Sequence, residues 1–200
     1  WTIENPVPLP GEYSRLQISK TVEAVTTVNE YHYDSVTNTW TLSTDDGART
    51  ETLQTTWQNP QQPWQSKGDR VVTRRVTDAD STVLSHVETT YHQFLWGEKV
   101  VKTVTDPDGE ALTTLTSYYE QAGEPGYGRV HTVTAPDGSQ VEYEYHDNGT
   151  LKLRREPWDG IPNAKVTVYD YSPVDANDDG SLRPRSVRTL FSVSSPPDPR

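Results

Sequence analysis

Apolar and polar residues alternate in short runs along this 200-residue chain, and the runs stop at clusters of Gly, Pro, Asn and Asp. The clearest run lies at 140–146. In an extended segment Val141, Tyr143 and Tyr145 fall on one side, and Gln140, Glu142, Glu144 and His146 on the other. Asp147-Asn148-Gly149 follows. Asn-Gly is a strong hairpin signal, because both residues tolerate positive φ. A return strand is predicted from Thr150, with Leu151 and Leu153 on one side and Lys152 and Arg154 on the other. No window of about 12 residues shows helical spacing of apolar residues together with a cap. The pattern predicts an all-β chain of repeated antiparallel β-hairpins, joined into an extended, curved or spiralling sheet.

The turn signals recur. Asp106-Pro107-Asp108-Gly109 and Ala135-Pro136-Asp137-Gly138 are near copies, each preceded by Thr-Val-Thr. Pro sets φ at the first turn position, and Gly is expected to take the left-handed one. A degenerate copy runs from Val76 to Ser81, and Thr44-Asp45-Asp46-Gly47 resembles an earlier one. Recurrence on this scale predicts a repeat architecture in which each unit stacks on the next. The stretch Trp57 to Gly68, uncharged over Trp57–Trp64 and rich in Gln and Pro, reads as a long loop between two repeat groups.

Composition agrees with strands and argues for a thin core. The apolar fraction is 32 %, with 6 Trp, 11 Tyr, 15 Pro and 12 Gly. So many aromatic rings exclude a typical disordered chain, while so few aliphatic residues leave polar groups on at least one sheet face. The net charge of −11 argues against nucleic acid and anionic membrane surfaces as partners. No apolar run reaches the roughly 18 residues of a spanning helix, so no membrane insertion by helices is expected. The absence of Cys excludes disulfides, thiolate metal sites and cysteine catalysis. With Trp at position 1 and no Met, the chain reads as an excised piece of a longer protein. A piece cut from a ribbon of hairpins is expected to expose strand edges that pair with one another.

The stretch Ala135 to Asp159 resembles the YD repeat of the bacterial RHS (rearrangement hot spot) family. Tyr143 and Tyr145 match that unit's tyrosines, Asn148 and Gly149 its turn, and Leu151 its leucine. His146 stands where the unit has Asp, and Thr150 where it has Arg. Tyr31-His32-Tyr33-Asp34 and Tyr169-Asp170-Tyr171 are partial copies. On that resemblance the chain divides into an extended lead (1–12), degenerate YD-like repeats (13–56), the Gln/Pro loop (57–69), a YD-like repeat array (70–193) and a linker (194–200). The resemblance implies a non-enzymatic segment of shell or stalk in a large secreted or cell-surface bacterial protein. Its partner would be the remainder of that parent, whose ribbons enclose or display another segment in toxin complexes. Asp106-Pro107-Asp108-Gly109 is also similar to the Asp-Pro-x-Gly of the family's self-cleaving core, but here it stands mid-chain in a series of turns.

Candidate chemistry is sparse. Asp175, Asn177 and Asp179, with Gly180 next and Ser181 at the seventh position, match the start of an EF-hand-type calcium loop. Ser186 occupies the twelfth position, where a bidentate Glu belongs, and Pro184 opposes an exit helix. The alternative is a solvated Asp/Asn-rich hairpin loop. Calcium is the one cofactor the sequence suggests. The five histidines lack metal spacing, and no nucleophile elbow or phosphate loop is present. Trp40, Trp57, Trp64, Trp96 and Trp158 offer rings for stacking on a sugar or a host-surface protein, with Trp57 and Trp64 in the uncharged loop as the expected exposed pair. The competing reading is therefore a carbohydrate- or protein-binding β module, calcium-assisted if the acidic loop is occupied.

Overall fold

A computed structural model of the chain describes residues 2–4, 12–58, 68–158, 163–172 and 183–192. Their only regular structure is strand: β1 (Thr2–Glu4), β2 (Glu12–Val22), β3 (Val25–Asp34), β4 (Thr39–Asp45), β5 (Arg49–Trp57), β6 (Arg70–Asp78), β7 (Val83–Phe94), β8 (Gly97–Thr105), β9 (Leu112–Tyr118), β10 (Val130–Thr134), β11 (Gln140–Tyr145), β12 (Leu151–Pro157), β13 (Ala164–Asp170) and β14 (Ser186–Ser192). The fold is all-β, as the alternation predicts. The chain divides into two units, Trp1–Thr113 and Thr114–Arg200.

In the first unit each of β1 to β8 pairs antiparallel with its neighbours in the chain. The second unit repeats the arrangement from β9 to β14. The apolar residues are too few for a second layer, and cross-strand side-chain pairs take its place. On one face of the first unit the register aligns Leu16, Tyr31, Leu42 and Leu53 in one row, and Tyr33, Trp40, Thr55 and Val72 in the next. The other face is rich in hydroxyls, with Thr39, Thr56, Val71 and Thr90 in one row and Thr41, Gln54 and Thr73 in another. Thr39 and Thr56 share a hydrogen bond of 2.9 Å across the strands. Among the described residues the only buried apolar side chains are Tyr33 (5 % exposed) and Val104 (7 %).

Three hairpin loops are built alike. At Ala135–Ser139, His146–Thr150 and Asp78–Thr82 the fourth N–H donates to the first C=O, at 2.9, 2.7 and 3.0 Å, and the first N–H donates to the fifth C=O, at 2.8, 2.9 and 3.0 Å. The fourth residues, Gly138, Gly149 and Ser81, have φ of 80°, 78° and 66°. This is the three-residue loop that closes a type I turn with a left-handed bulge residue. Asn148 therefore does not take positive φ beside Gly149, as a two-residue Asn-Gly turn would require. Its side chain instead accepts the Thr150 N–H (3.0 Å) and hydroxyl (2.7 Å). Asp137 accepts the Ser139 N–H in the same way at 2.9 Å.

Two expectations fail here. Gly109 is not left-handed; Asp106 (φ 54°) and Ala111 (φ 50°) are. The connection from Thr105 to Leu112 is one residue longer than that from Thr134 to Gln140, and Ala111 reaches back to donate to the Asp106 carbonyl at 2.8 Å. A Cβ at Gly109 would meet the Asp106 carboxylate, which would have to swing aside. Nor do Leu151 and Leu153 share a face. A bulge between Glu144 and Tyr145 puts Leu153 opposite Glu144 and Leu151 opposite Tyr145. Lys152 accordingly reaches Glu144, at 3.2 Å.

A left-handed L-residue is strained where glycine is not, so Ser81→Gly should stabilise the protein by about 0.5–1 kcal/mol and Gly138→Ser should destabilise it by about as much. Urea unfolding midpoints of the two variants check this; equal effects of one sign would contradict the shared loop geometry.

Candidate functional site

The repeat-motif residues build corners. Tyr33, at the end of β3, turns its ring against Trp40 on β4, with centroids 4.6 Å apart and planes at 30°. Its hydroxyl donates to Asn38 Oδ1 at 2.7 Å, and Asn38 is buried and left-handed at φ 51°. Asp34 secures the same loop from its near end. It accepts the Val36 N–H at 2.8 Å through one oxygen and the Thr37 hydroxyl at 2.8 Å through the other. The Thr37 hydroxyl, and then the Val36 N–H, hold the Asp34 carboxyl below its usual 3.8. The Tyr-Asp pair thus ties both ends of one loop. Asp170, after Tyr169, acts alike by accepting the Ser172 N–H at 2.9 Å, a contact that lowers its pKa. Where His146 replaces Asp, Asn148 takes over the loop N–H. Tyr31 lies one cross-strand position from Leu42 and stays largely exposed.

A second cluster lies in the second unit, under the loop between β9 and β10. The Tyr119 hydroxyl donates to the Tyr143 carbonyl at 2.9 Å, and the Tyr145 hydroxyl to the Val130 carbonyl at 3.0 Å. The two rings meet edge to face at 5.9 Å. His131 leans on Tyr119 at 4.5 Å, and the Arg129 guanidinium lies 5.5 Å from the Tyr145 ring centre. Burial pushes both phenols above their usual pKa. Gly126 makes the packing possible: it is buried at φ 87°, and a Cβ would stand 2.5 Å from the Tyr145 ring. Sequence reasoning finds Tyr143 and Tyr145 but misses Tyr119, Gly126 and Arg129. The available signal is the crowding of Gly123, Gly126 and Gly128 between two strands.

The tryptophans are distributed unlike the expectation. Trp57 is the last residue of β5 and lies opposite Arg70. The Arg70 guanidinium stands 5.6 Å from the Trp57 ring and 4.1 Å from that of Tyr91, and grips Glu98 with two bonds of 2.9 and 2.7 Å. Trp57 is half-buried there, a strand residue with a packing role. Trp96 stacks on Phe94 at 4.5 Å. Trp40 and Trp158 are the open rings, each 47 % exposed. Trp64 and the calcium candidates Asp175, Asn177, Asp179 and Ser181 lie outside the described residues.

Grooves in the second unit are shallow. One of ≈ 500 Å³ is lined by Asp137, Gln140, Glu142, Arg155, Glu156 and Asn163, among others. Its charges are engaged: Glu142 pairs with Arg155 at 3.3 Å, and Glu156 with Arg154 at 2.6 Å and Lys165 at 2.8 Å. A second, of ≈ 410 Å³, joins His146, Asn148, Asp170 and Tyr171, with His146 edge-on to Tyr171 at 5.9 Å. In the first unit His86 binds Asp108 through Nδ1 at 2.8 Å and accepts the Asp106 N–H on its carbonyl, also at 2.8 Å, docking that loop on β7. The ion pairs tie strand to strand, and the His86 contacts fasten a loop to a strand. Among the described residues the Trp40 ring, on its Tyr33 support, and the Trp158 ring stay open.

Tyr33→Phe leaves the buried Asn38 oxygen without its donor and should cost about 1–2 kcal/mol in urea unfolding. Asp34, Asp46, Asp137 and Asp170 all have lowered pKa values. Carboxyls of this kind stabilise the fold above their unfolded value of about 4, and the contribution is lost as pH falls through the lowered values. Asp34→Asn, which retains an acceptor for the Val36 N–H, should lessen the loss between pH 7 and pH 3 in the same experiment. Gly126→Ala should destabilise by about 2 kcal/mol or more, since strain and overlap add, while Gly123→Ala, with open space around it, should cost only the strain of about 1 kcal/mol. Similar costs at both glycines would remove the Tyr145 contact from the account. No protein-family model matches the chain, and no curated protein matches it in sequence.

Proposed function

We propose that the chain is a non-enzymatic structural segment, a stretch of shell or stalk in a large secreted or cell-surface bacterial protein of the RHS/YD-repeat kind. One observation carries this reading. Within each unit every strand pairs with its neighbours in the chain, and the described residues bury almost nothing beneath a second layer. Such a sheet draws its stability from neighbouring hairpins and extends by adding more of them. Its tyrosines, ion pairs and turn carboxylates fasten loops, as at Tyr33 and Asp34, and tie strand to strand, as at Tyr145 and Arg155. The role suits a wall whose partner is the rest of its parent.

The Trp40 ring supports a second reading. An aromatic face stacked on Tyr33 and 47 % exposed suits an apolar sugar face or a protein side chain. The calcium-assisted form of that reading rests on Asp175 to Asp179.

A binding screen of the folded chain against glycans and cell-surface proteins, read by tryptophan fluorescence with calcium and with chelator, separates the two. A wall segment gives no saturable change. Saturable quenching that Trp40→Ala abolishes would replace the wall reading with the binding module. A calcium requirement would bring the acidic loop into it.

A further inference from the structure

β14 ends the sheet of the second unit with one side of its backbone open, for among the described residues it pairs with β13 alone. An open edge of this kind is a template for another strand. The opposite end of the first unit is guarded: β1 is three residues long and covers Gln17 to Ser19 of β2. Among the described residues nothing comparable guards β14. It is seven residues long, its one charge is Arg188, and Val187, Leu190 and Phe191 are 54, 57 and 52 % exposed.

We propose that β14 pairs with β14 of a second copy of this chain, antiparallel about a two-fold axis at Thr189. The sequence Ser186-Val187-Arg188-Thr189-Leu190-Phe191-Ser192 has the symmetry that such a pairing needs. Val187 meets the second copy's Phe191 and Phe191 its Val187, both on one face, which are aromatic–β-branched pairs of the favourable class. Thr189 meets its own copy, a hydroxyl pair. Arg188 lies opposite Leu190, where its stem covers apolar surface, and no like charges stand directly opposite. A two-fold contact repeats each pair, and so closes the edge on both copies at once. Trp158, 4.9 Å from Phe191, extends the same apolar stripe on each side. In the wall reading the parent's next strand competes for this same edge.

Sedimentation equilibrium of the full chain across micromolar to millimolar concentration tests it, with circular dichroism confirming that every variant is folded. The wild type should dimerise. Thr189→Lys and Thr189→Glu each place like charges face to face at the axis and should weaken association by about fivefold. An equimolar mixture of the two should associate at least as tightly as wild type, because Lys then faces Glu. A monomeric wild type would overturn the proposal. So would charge variants that dimerise like wild type, or a mixture no tighter than its parts.

Discussion

Within each unit the described residues form a single layer, so each strand depends on the strand beside it. In an ordinary sandwich a misplaced strand is corrected by the sheet packed on its face. Here that check is weak, because only Tyr33 and Val104 are buried apolar side chains among the described residues. Registers must be set by the loops that join the strands and by the pairs that cross between them. The fixed geometry of the loops at Ala135–Ser139, His146–Thr150 and Asp78–Thr82 follows from that need. So does the heavy use of side chains to satisfy loop N–H groups, work that a packed core would make less critical.

The Tyr-Asp corner combines the two kinds of control. The Tyr33 ring supplies cross-strand stacking on Trp40, while its hydroxyl and the Asp34 carboxylate hold opposite ends of one loop. In the second unit the same residue type spans strands: Tyr119 and Tyr145 donate to backbone carbonyls 24 and 15 residues away. Tyrosine serves both uses because a broad apolar ring ends in a donor. That economy accounts for a chain with 11 Tyr and only 32 % apolar residues.

How much of this was legible in the sequence depended on distance along the chain. The hairpin from β11 to β12 was visible because its alternation and its Asp147-Asn148-Gly149 turn are contiguous. The Gly109 turn was misread because its conformation is set by the extra residue before Leu112 and by the Asp106 side chain, not by the Pro-Asp-Gly string. The face of Leu151 was misread because a bulge leaves no mark in an alternating pattern. Trp57 looked like a loop residue because its neighbours in sequence are uncharged, yet the cation beside it, Arg70, arrives from the next strand. The Tyr119 cluster was missed for the same reason: its members come from strands and loops that only the register brings together.

Chain-order pairing also has a consequence for how such a molecule is made. Within each unit the partner of every strand is the one synthesised just before it, at most a loop away. The closing entropy of each step is therefore small, and no strand waits for a distant segment to arrive. A chain that emerges N-terminus first can build its sheet one hairpin at a time, each finished edge serving as the mould for the next strand.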